Sequence, residues 1–250
     1  MPAMTLFFSH TSPFARKLMV LLHETGQLAD VAVQEVALSP VTPNAELNTV
    51  NPAGKIPALR LADGSQLHDS RVIFEYLDQR HSGPSLIPAG PQRWRCLTLA
   101  SLADAALDAA ILIRYETFLR PADKRWDAWL QGQQDKVERA LAGFERAIGT
   151  ELGSQFDLAA ISVACALGYI DLRQPELDWR SRYPQLAHWY ADISRRPSLL
   201  ATQPPRPSPP QVHDHHCFVM RTDALETGAQ SARPATPRSA SLRANRCSRS

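Results

Sequence analysis

The chain has 250 residues, of which 44% are hydrophobic, and its formal net charge is +2. This length accommodates one large domain or two smaller ones, and the apolar fraction is sufficient for a buried core. The low net charge argues against a nucleic-acid-binding domain, which clusters basic residues on one face. The charge is uneven: residues 204–250 contain seven Arg and three Asp or Glu, a net +4, which leaves −2 on residues 1–203.

The cysteines Cys96, Cys165, Cys217 and Cys247 include no CxxC pair. Their irregular spacing argues against a disulfide framework or a structural zinc site and favours a reducing compartment. The first ten residues lack the basic segment and apolar run of a signal peptide. The longest stretch without a charged residue or a histidine, 158–170, has 13 residues and is too short to span a bilayer. These features predict a soluble, cytoplasmic protein.

The first predicted elements form a βαβ unit. An apolar run predicts a strand at 5–9, and Pro13 suits the first turn of a helix that ends near Gly26. Residues 31–38 alternate as expected for a second strand. The segment 40–54 contains Pro40, Pro43, Asn51, Pro52 and Gly54, which predict an irregular connection with one helical turn.

A ββα unit is predicted next. Strands at 58–62 and 65–68 are joined by Asp63 and Gly64, a tight hairpin signal. A helix over 70–82 closes the unit. Its predicted buried side consists of Val72, Ile73, Tyr76 and Leu77.

The remainder of the folded body is predicted to be helical. The sequence divides into a first domain at 1–82, a linker rich in Gly and Pro at 83–91, and an all-helical domain at 92–203. Asp157 is the expected N-cap of a helix over 158–172, which is apolar on every side and therefore central. The apolar positions that recur at threes and fours in the preceding helix are Trp126, Leu130, Val137, Leu141, Phe144 and Ile148.

The end of this domain is predicted from two short segments. Residues 187–192 belong to a last helix, and RRPS at 195–198 is its expected stop.

The motif NPAGKIPAL at 51–59, followed by Asp69 and Ser70, carries the strongest functional signal. The order strand, K-I-P, strand, D-G turn, strand, D-S, helix resembles the glutathione S-transferase family. The resemblance covers residues 4 to about 203. It implies an α/β thioredoxin-like N-terminal domain followed by an all-α C-terminal domain. It also implies glutathione as co-substrate, with no metal.

The resemblance assigns a partner to each polar group of glutathione. Lys55 would meet the glycyl carboxylate, and Ile56 would present its backbone to the cysteinyl unit if the bond to Pro57 is cis. Asp69 would meet the ammonium group, and Ser70, opening a helix at Arg71, would hold the γ-glutamyl carboxylate near free NH groups. An Asp-Ser pair before an apolar run can also be a plain helix cap. The implied glutathione-binding residues are Phe14, Lys55, Ile56, Pro57, Asp69 and Ser70.

The catalytic group is expected in SHTSPF at 9–14, where the first strand meets the first helix. A hydroxyl at this helix start can donate a hydrogen bond to a thiolate and lower the thiol pKa. TSPF most resembles the tau-like and related bacterial serine-type groups, which favours Ser12. Thr11 and then Ser9 are the alternatives, and Ser12 can also be only a helix cap. Because no Cys lies in this segment, mixed-disulfide chemistry has no nucleophile.

Further candidates border the electrophile pocket implied by the resemblance. They are His10, next to the catalytic loop, and Arg114, Tyr115 and Phe118 on the first long helix of the second domain. In the family, the central helix opens with a Ser or Thr cap and an Asp three residues later, whereas this chain has Asp157 and Ala160. The reciprocal capping bond is therefore lost.

The predicted function is a glutathione transferase that adds the glutathione thiolate to a small hydrophobic electrophile. The alternatives are a glutathione-dependent dehalogenase, isomerase or peroxidase, and a non-catalytic binding or regulatory protein of the same fold. The resemblance implies a homodimer. Nothing in the sequence indicates a nucleic-acid or membrane partner.

The C-terminal segment 204–250 contains seven Pro and seven Arg without apolar periodicity, and we expect it to be a disordered tail. A natural extension and a shifted reading frame explain this composition equally well. HDHHC at 213–217 contains metal-ligand residue types, but the expected reading is accidental spacing.

Overall fold

The structure is a computed structural model that describes residues 4–153 and 155–205. These residues belong to one compact unit. The predicted tail and the 213–217 cluster lie outside the described residues, apart from Pro204 and Pro205.

A four-stranded sheet has the order β2-β1-β3-β4. β1 pairs in parallel with β2 and antiparallel with β3, and β3 pairs antiparallel with β4. This is the mixed sheet of a thioredoxin-like domain, as predicted. The strands are β1 (Met4–Phe8), β2 (Val31–Glu35), β3 (Ala58–Arg60) and β4 (Gln66–Leu67).

Helices connect the strands and cover the sheet. α1 starts with Pro13 at its first position, because proline has no NH to leave unpaired there. The first helices are α1 (Pro13–Glu24), α2 (Ala45–Val50) and α3 (Ser70–Asp78), with a 3-10 turn at Leu28–Asp30. The single helical turn expected between β2 and β3 is therefore present as α2.

The sheet register brings three loops to one edge. Phe7 pairs with Ala58 in the antiparallel β1–β3 ladder, so the residues that follow β1 lie beside those that precede β3. Leu59 pairs with Leu67, so the residues that follow β4 also reach this edge. The predicted catalytic loop, the K-I-P turn and the D-S pair are therefore neighbours.

The part of the chain after α3 is helical, as predicted. α4 packs against both α5 and α6. α6 is almost entirely buried, which explains why its sequence is apolar on every side. The elements are α4 (Pro91–Phe118), a 3-10 turn (Ala122–Lys124), α5 (Asp127–Ala147), α6 (Leu158–Arg173), α7 (Trp179–Arg182), α8 (Pro184–Ile193) and α9 (Pro197–Ala201).

By length and composition alone, α4 could cross a membrane, although it contains no long uncharged stretch. However, 56% of its apolar window is buried inside the protein. Asp104 within α4 also forms an ion pair with Lys17 of α1. These contacts are those of a core helix in a globular unit.

The predicted N-cap of α6 is confirmed. The Asp157 carboxylate accepts a hydrogen bond from the Ala160 amide at 3.0 Å, and the helix begins at Leu158. Ala160 offers no side chain for the reciprocal bond. The Leu158 amide instead donates to the Leu86 carbonyl at 2.9 Å, which ties this helix start to the segment before α4.

Two predicted core positions are wrong. Val72 is 48% exposed, since Ile73, Phe74 and Leu77 form the buried side of α3. Trp126 is 66% exposed because it precedes the first turn of α5 as its N-cap. In both cases the predicted apolar pattern includes a residue just outside the buried stripe.

Some predicted boundaries also differ. α3 ends at Asp78, four residues before the predicted end, because the Asp78 carboxylate caps the following loop. The helix that contains residues 187–192 ends at Ile193, just before RRPS, as predicted. It is not the last helix, since Arg196 is the N-cap of α9 and Pro197 its first residue. Proline favours a helix start as well as a helix stop, and here it does the former.

Candidate functional site

Ser12 lies where β1 leads into α1 and is the N-cap of that helix. Its hydroxyl oxygen accepts a hydrogen bond from the Ala15 amide at 3.3 Å, and its carbonyl accepts from the Arg16 amide at 3.0 Å. In the described part of the chain, the Ser12 hydroxyl proton has no acceptor. The side chain is half-buried at a helix N-terminus, where partial positive charge favours an anion.

The alternative hydroxyls are engaged with each other. Ser9 Oγ lies 3.3 Å from Thr11 Oγ1 and also accepts from the Thr11 amide at 3.4 Å. The Ser12 amide donates to the Ser9 carbonyl at 3.0 Å, so the loop closes as a turn. This turn leaves Ser12 as the hydroxyl that directly caps α1.

The K-I-P turn leads into β3 with the Ile56-Pro57 bond in the cis form. Asn51 donates from its side-chain amide to the Lys55 carbonyl at 2.7 Å and holds the turn. The backbone NH and C=O of Ile56 have no hydrogen-bond partner among residues 4–153 and 155–205. Lys55 is exposed. The turn therefore offers one backbone donor, one backbone acceptor and one cation at the sheet edge.

The D-S pair follows β4, and here the sequence assigned the capping role to the wrong residue. Asp69 is the N-cap of α3, and its carboxylate accepts from the Arg71 amide at 2.9 Å. Ser70 is the first residue of the helix and is buried. Its hydroxyl has no described partner, whereas the Asp69 side chain remains 60% exposed. Both groups can therefore bind a ligand at the N-terminus of α3.

A charged network joins these loops to the helical part, and the sequence prediction missed it. Lys17 of α1 forms a buried ion pair with Asp104 of α4. Arg71 Nε lies 3.4 Å from the other Asp104 oxygen and 3.7 Å from Asp69. The sequence does contain a signal for this network: Asp104 and Asp108 are two acids, four residues apart, in an otherwise apolar segment.

Asp108 lies one turn after Asp104 and faces the same charges. Burial and the Asp104 charge raise its pKa, whereas the charges of Lys55, Arg71 and Lys17 oppose that rise. Lys55 is thus close enough to act on α4 from the sheet edge. α4 supplies an acidic wall opposite the K-I-P turn.

A narrow cleft with a volume of only about 10 Å³ lies beside Ser12. Its lining includes His10, Thr11, Arg16 and Tyr169. Arg16 is buried and donates to the Leu199 carbonyl at 3.1 Å and to Thr202 Oγ1 at 3.4 Å. A guanidinium one helical turn from Ser12 adds positive charge to this end of α1.

His10 lies at the mouth of this cleft. It is exposed, its ring contacts the edge of Phe8 at 4.8 Å between centroids, and Nε2 lies 4.0 Å from Glu35. Phe14 is half-buried, with Lys17 Nζ 5.5 Å from its ring centroid. Both residues border the loop.

The outer wall comes from α4 and α6. Arg114 stacks on Phe118, with Cζ 3.6 Å from the ring centroid. Burial raises the pKa of Tyr115. Tyr169, which no sequence pattern singled out, is buried on α6, and the Tyr115 hydroxyl is close enough to raise its pKa further. Arg114, Tyr115 and Phe118 do not line the cleft themselves. Tyr169, which does, is close enough to Arg114 and Tyr115 for both to influence its pKa.

The two described cysteines are poor nucleophiles. Burial, with a smaller contribution from Asp157, raises the pKa of Cys96 to about 12. Burial also raises the pKa of Cys165, although the latter borders the cleft. Neither thiol is suited to attack a disulfide.

A larger cavity of about 650 Å³ lies elsewhere, between the end of α5, the start of the loop before α6, and α8. Phe156, Trp189 and His188 are among its lining residues. It contains none of the predicted site residues. The chemical candidates therefore point to the narrow cleft and not to the larger cavity. Within residues 4–153 and 155–205, no group of three or more His, Cys, Asp or Glu side chains is placed to hold a metal ion.

Comparison with known proteins agrees with this geometry. Residues 6–85 match the family profile described as Glutathione S-transferase, N-terminal domain. Residues 127–192 match the profile Glutathione S-transferase, C-terminal domain. An Escherichia coli relative described as an uncharacterized GST-like protein, YibF, is 32% identical over 206 residues, which cover 81% of this chain and 100% of the relative.

The chain belongs to the glutathione S-transferase family.

Solved structures of this transferase family include close relatives. A family member from Pseudomonas fluorescens Pf-5 with bound glutathione is 61% identical, with a TM-score of 0.80 over 81% of this chain and 99% of its own. A second structure from that organism, with bound S-(propanoic acid)-glutathione, is 59% identical, with a TM-score of 0.76 over 81% of this chain and 100% of its own. Both the predicted resemblance and the predicted fold are therefore confirmed.

Proposed function

We propose that this family member is a glutathione transferase that binds glutathione, ionises its thiol beside Ser12 and adds the thiolate to a small hydrophobic electrophile. Ser12 is the proposed catalytic residue, with Thr11 second and Ser9 third. The single observation that carries this choice is the Ser12 hydroxyl, which accepts from Ala15 and has its proton free among described residues.

The chemical need is a lower thiol pKa. A free thiol with a pKa of about 8.5 is only about 3% ionised at pH 7, and a fall of about two units makes it mostly thiolate. A hydroxyl that donates to sulfur stabilises the anion alone and so favours ionisation. The N-terminus of α1 and the buried Arg16 guanidinium act in the same direction.

The remaining assignments follow the polar groups of glutathione. The free backbone groups of Ile56 would pair with the cysteinyl unit beside Pro57. Lys55 would bind the glycyl carboxylate, and Phe14 would pack near the tripeptide. Ser70 and the first amides of α3 would bind the γ-glutamyl carboxylate, with Asp69 on the ammonium group.

The neighbours support this proposal. The Pseudomonas fluorescens proteins at 61% and 59% identity were crystallised with glutathione and with S-(propanoic acid)-glutathione. We propose that this chain binds glutathione in the same way, and that its cleft accepts a substituent on the sulfur. Tyr115 and Phe118 would cover an apolar electrophile, and His10 would lie at the entrance.

A homodimer in the cytoplasm is the proposed form. Val72 on α3 and Trp94 on α4 are 48% and 69% exposed. They lie on helices that are joined by the Arg93–Glu75 ion pair, at 2.7 Å. Exposed apolar side chains of this size favour a protein interface. Light scattering of wild type and Trp94→Glu tests this, since a dimer through this face predicts a smaller mass for the variant.

Three assays test the proposed reaction. The protein should be retained on immobilised glutathione, should conjugate an aryl chloride with release of chloride, and should lose most of that rate in Ser12→Ala. Turnover only with a haloalkane, an isomerisable alkene or a peroxide would instead support one of the other glutathione-dependent activities. Retention without any turnover would support a binding or regulatory role and would overturn the proposed transferase.

A further inference from the structure

Two arginines beside the cleft have no acidic partner. Arg114 lies on α4 and Arg173 on α6, and neither forms an ion pair with any carboxylate that the structure describes. Arg173 Nε is buried and has no described hydrogen-bond acceptor. A buried donor without a partner is costly, so such a group calls for an acceptor.

Three arginines elsewhere in this chain each have an acid partner. Arg180 meets Asp171 at 2.7 Å, Arg182 meets Glu138 at 2.6 Å, and Arg196 meets Glu24 at 2.7 Å. Arg114 and Arg173 differ because neither has an acid partner among the described residues. Burial, followed by the charge of Arg173, lowers the pKa of Arg114. The two guanidinium groups therefore repel each other in a partly buried setting.

Tyr169 connects this pair to the reacting end of the cleft. Its side chain lines the cleft together with Ser12, and Arg173 follows it by one turn of α6, with Cζ 5.9 Å from the Tyr169 ring centroid. Burial raises the pKa of Tyr169, whereas the charge of Arg173, a hydrogen bond from the Arg173 side chain and the charge of Arg114 lower it. The Tyr169 hydroxyl is therefore a partner for the Arg173 guanidinium but leaves its buried Nε without an acceptor. Tyr169 is thus the residue that connects the two arginines to the cleft beside Ser12.

We propose that Arg114 and Arg173 bind a carboxylate on the electrophile. This inference rests on the proposed function, because the carboxylate belongs to the molecule that the glutathione thiolate attacks. The planar guanidinium fork matches a carboxylate with two parallel hydrogen bonds. Arg114 is already held flat against Phe118, which fixes its orientation. The substrate class is an electrophile with an apolar body and one anionic end.

A pair of aryl chlorides of nearly equal size isolates this charge. The first is 4-chloro-3-nitrobenzoate and the second is the neutral 4-chloro-3-nitrobenzamide. In both, the thiolate attacks the ring carbon that bears chlorine, a C–S bond forms, and chloride leaves with the C–Cl electron pair. The thiol proton passes to solvent. The intrinsic reactivity of the two probes cancels when each variant is compared with wild type.

Arg114→Met and Arg173→Met should each lower kcat/KM for the benzoate about ten- to a hundredfold, the cost of one charged hydrogen bond. The benzamide rate should stay within about twofold of wild type, because the neutral amide gains little from the cations. Arg195→Met is the matched control, since Arg195 is 80% exposed, and it should leave both rates unchanged. Equal losses for both probes, or no loss, would overturn the inference while the transferase function stands.

A binding experiment separates this inference from the proposed reaction. Calorimetry should show that the wild-type protein binds S-(propanoic acid)-glutathione more tightly than neutral S-propylglutathione, and that both Met variants lose this preference. If turnover is absent but the preference is present and depends on the arginines, the anion site stands and the transferase proposal fails. If the wild type binds both conjugates equally, or neither, the anion site is refuted.

Discussion

Lys17 and Asp104 form an ion pair between α1 and α4, with side chains only 1% and 5% exposed. Arg71 extends it, since its Nε lies 3.4 Å from Asp104 and 3.7 Å from Asp69. The chain of charges therefore runs from the helix that Ser12 caps to the N-cap of α3. Asp104 of α4 thus supports α1, which Ser12 caps, and through Arg71 it also supports Asp69 at the start of α3.

Removal of one partner of this pair should destabilise the protein strongly. Asp104→Leu leaves the Lys17 ammonium buried without a counter-ion, and we expect a loss of about 3–5 kcal/mol in the free energy of unfolding. Urea denaturation measures it. The double variant Lys17→Met with Asp104→Leu should recover most of the loss, because no charge then remains buried. A double variant as unstable as the single one would show that packing and not charge is responsible.

The D-S pair should control glutathione affinity. Asp69→Ala and Ser70→Ala each remove a polar group proposed to hold the γ-glutamyl end, at a cost of about 1.5–3 kcal/mol, or about ten- to a hundredfold in affinity. Calorimetry measures the dissociation constant. Asp123→Ala, an exposed acid on a 3-10 turn, is the control. Wild-type affinity in both variants would remove this pair from the site.

The sequence predicted the fold because its local signals agree with one another. Pro13 at a helix start, the Asp63-Gly64 hairpin and the Asp157 cap are each short-range features, and the structure contains all three. Val72 was wrongly predicted to be buried, because apolar character alone does not show which residues of a short helix face the core and which face solvent.

Gly168 should be required for the position of Arg16. A Cβ at this position would clash with Arg16 Nη1 and lie 3.1 Å from Tyr190 Oη. We therefore expect Gly168→Ala to destabilise the protein by about 1–3 kcal/mol, as overpacking does. Thermal unfolding is the measurement. Gly132→Ala on α5 is the matched control, since nothing lies within 4 Å of its added Cβ, and it should be neutral or stabilising. Equal melting temperatures for the two variants would contradict this packing argument.

Asp78 should contribute stability that depends on pH. Burial raises the pKa of its carboxyl, but hydrogen bonds from Ser85, Leu86, His81 and Ile87 outweigh that and hold it below its usual range. Because the folded-state pKa is lowered, the contribution is complete above about pH 4, the ordinary pKa of aspartate, and is lost as the pH falls through the folded value.

Asp78→Asn should therefore lower the unfolding free energy at pH 7 by about 1.5–3 kcal/mol or more, and the gap from wild type should shrink below about pH 4. Denaturation curves at several pH values measure the gap. A difference that does not change with pH would show that the carboxylate charge has no part in this contribution.

The site was less predictable than the fold because it is assembled from residues far apart in the chain. The loop at 9–14, the K-I-P turn and the D-S pair could be found as motifs, and the sheet register explains why they meet. Asp104, Arg16 and Tyr169 carry no motif, since their importance comes from the neighbours that tertiary packing gives them. An ion pair between α1 and α4 can be predicted only once the packing of these two helices is known.

The most direct test of the central claim is the thiol pKa of bound glutathione, measured by ultraviolet titration of the thiolate in wild type and in Ser12→Ala. We predict that the variant still binds glutathione and that its thiol pKa is higher by about one to two units, the value of one charged hydrogen bond. Thr11→Val should titrate like wild type. An unchanged midpoint in Ser12→Ala, with a shifted midpoint in Thr11→Val, would contradict the assignment of Ser12 as the group that stabilises the thiolate.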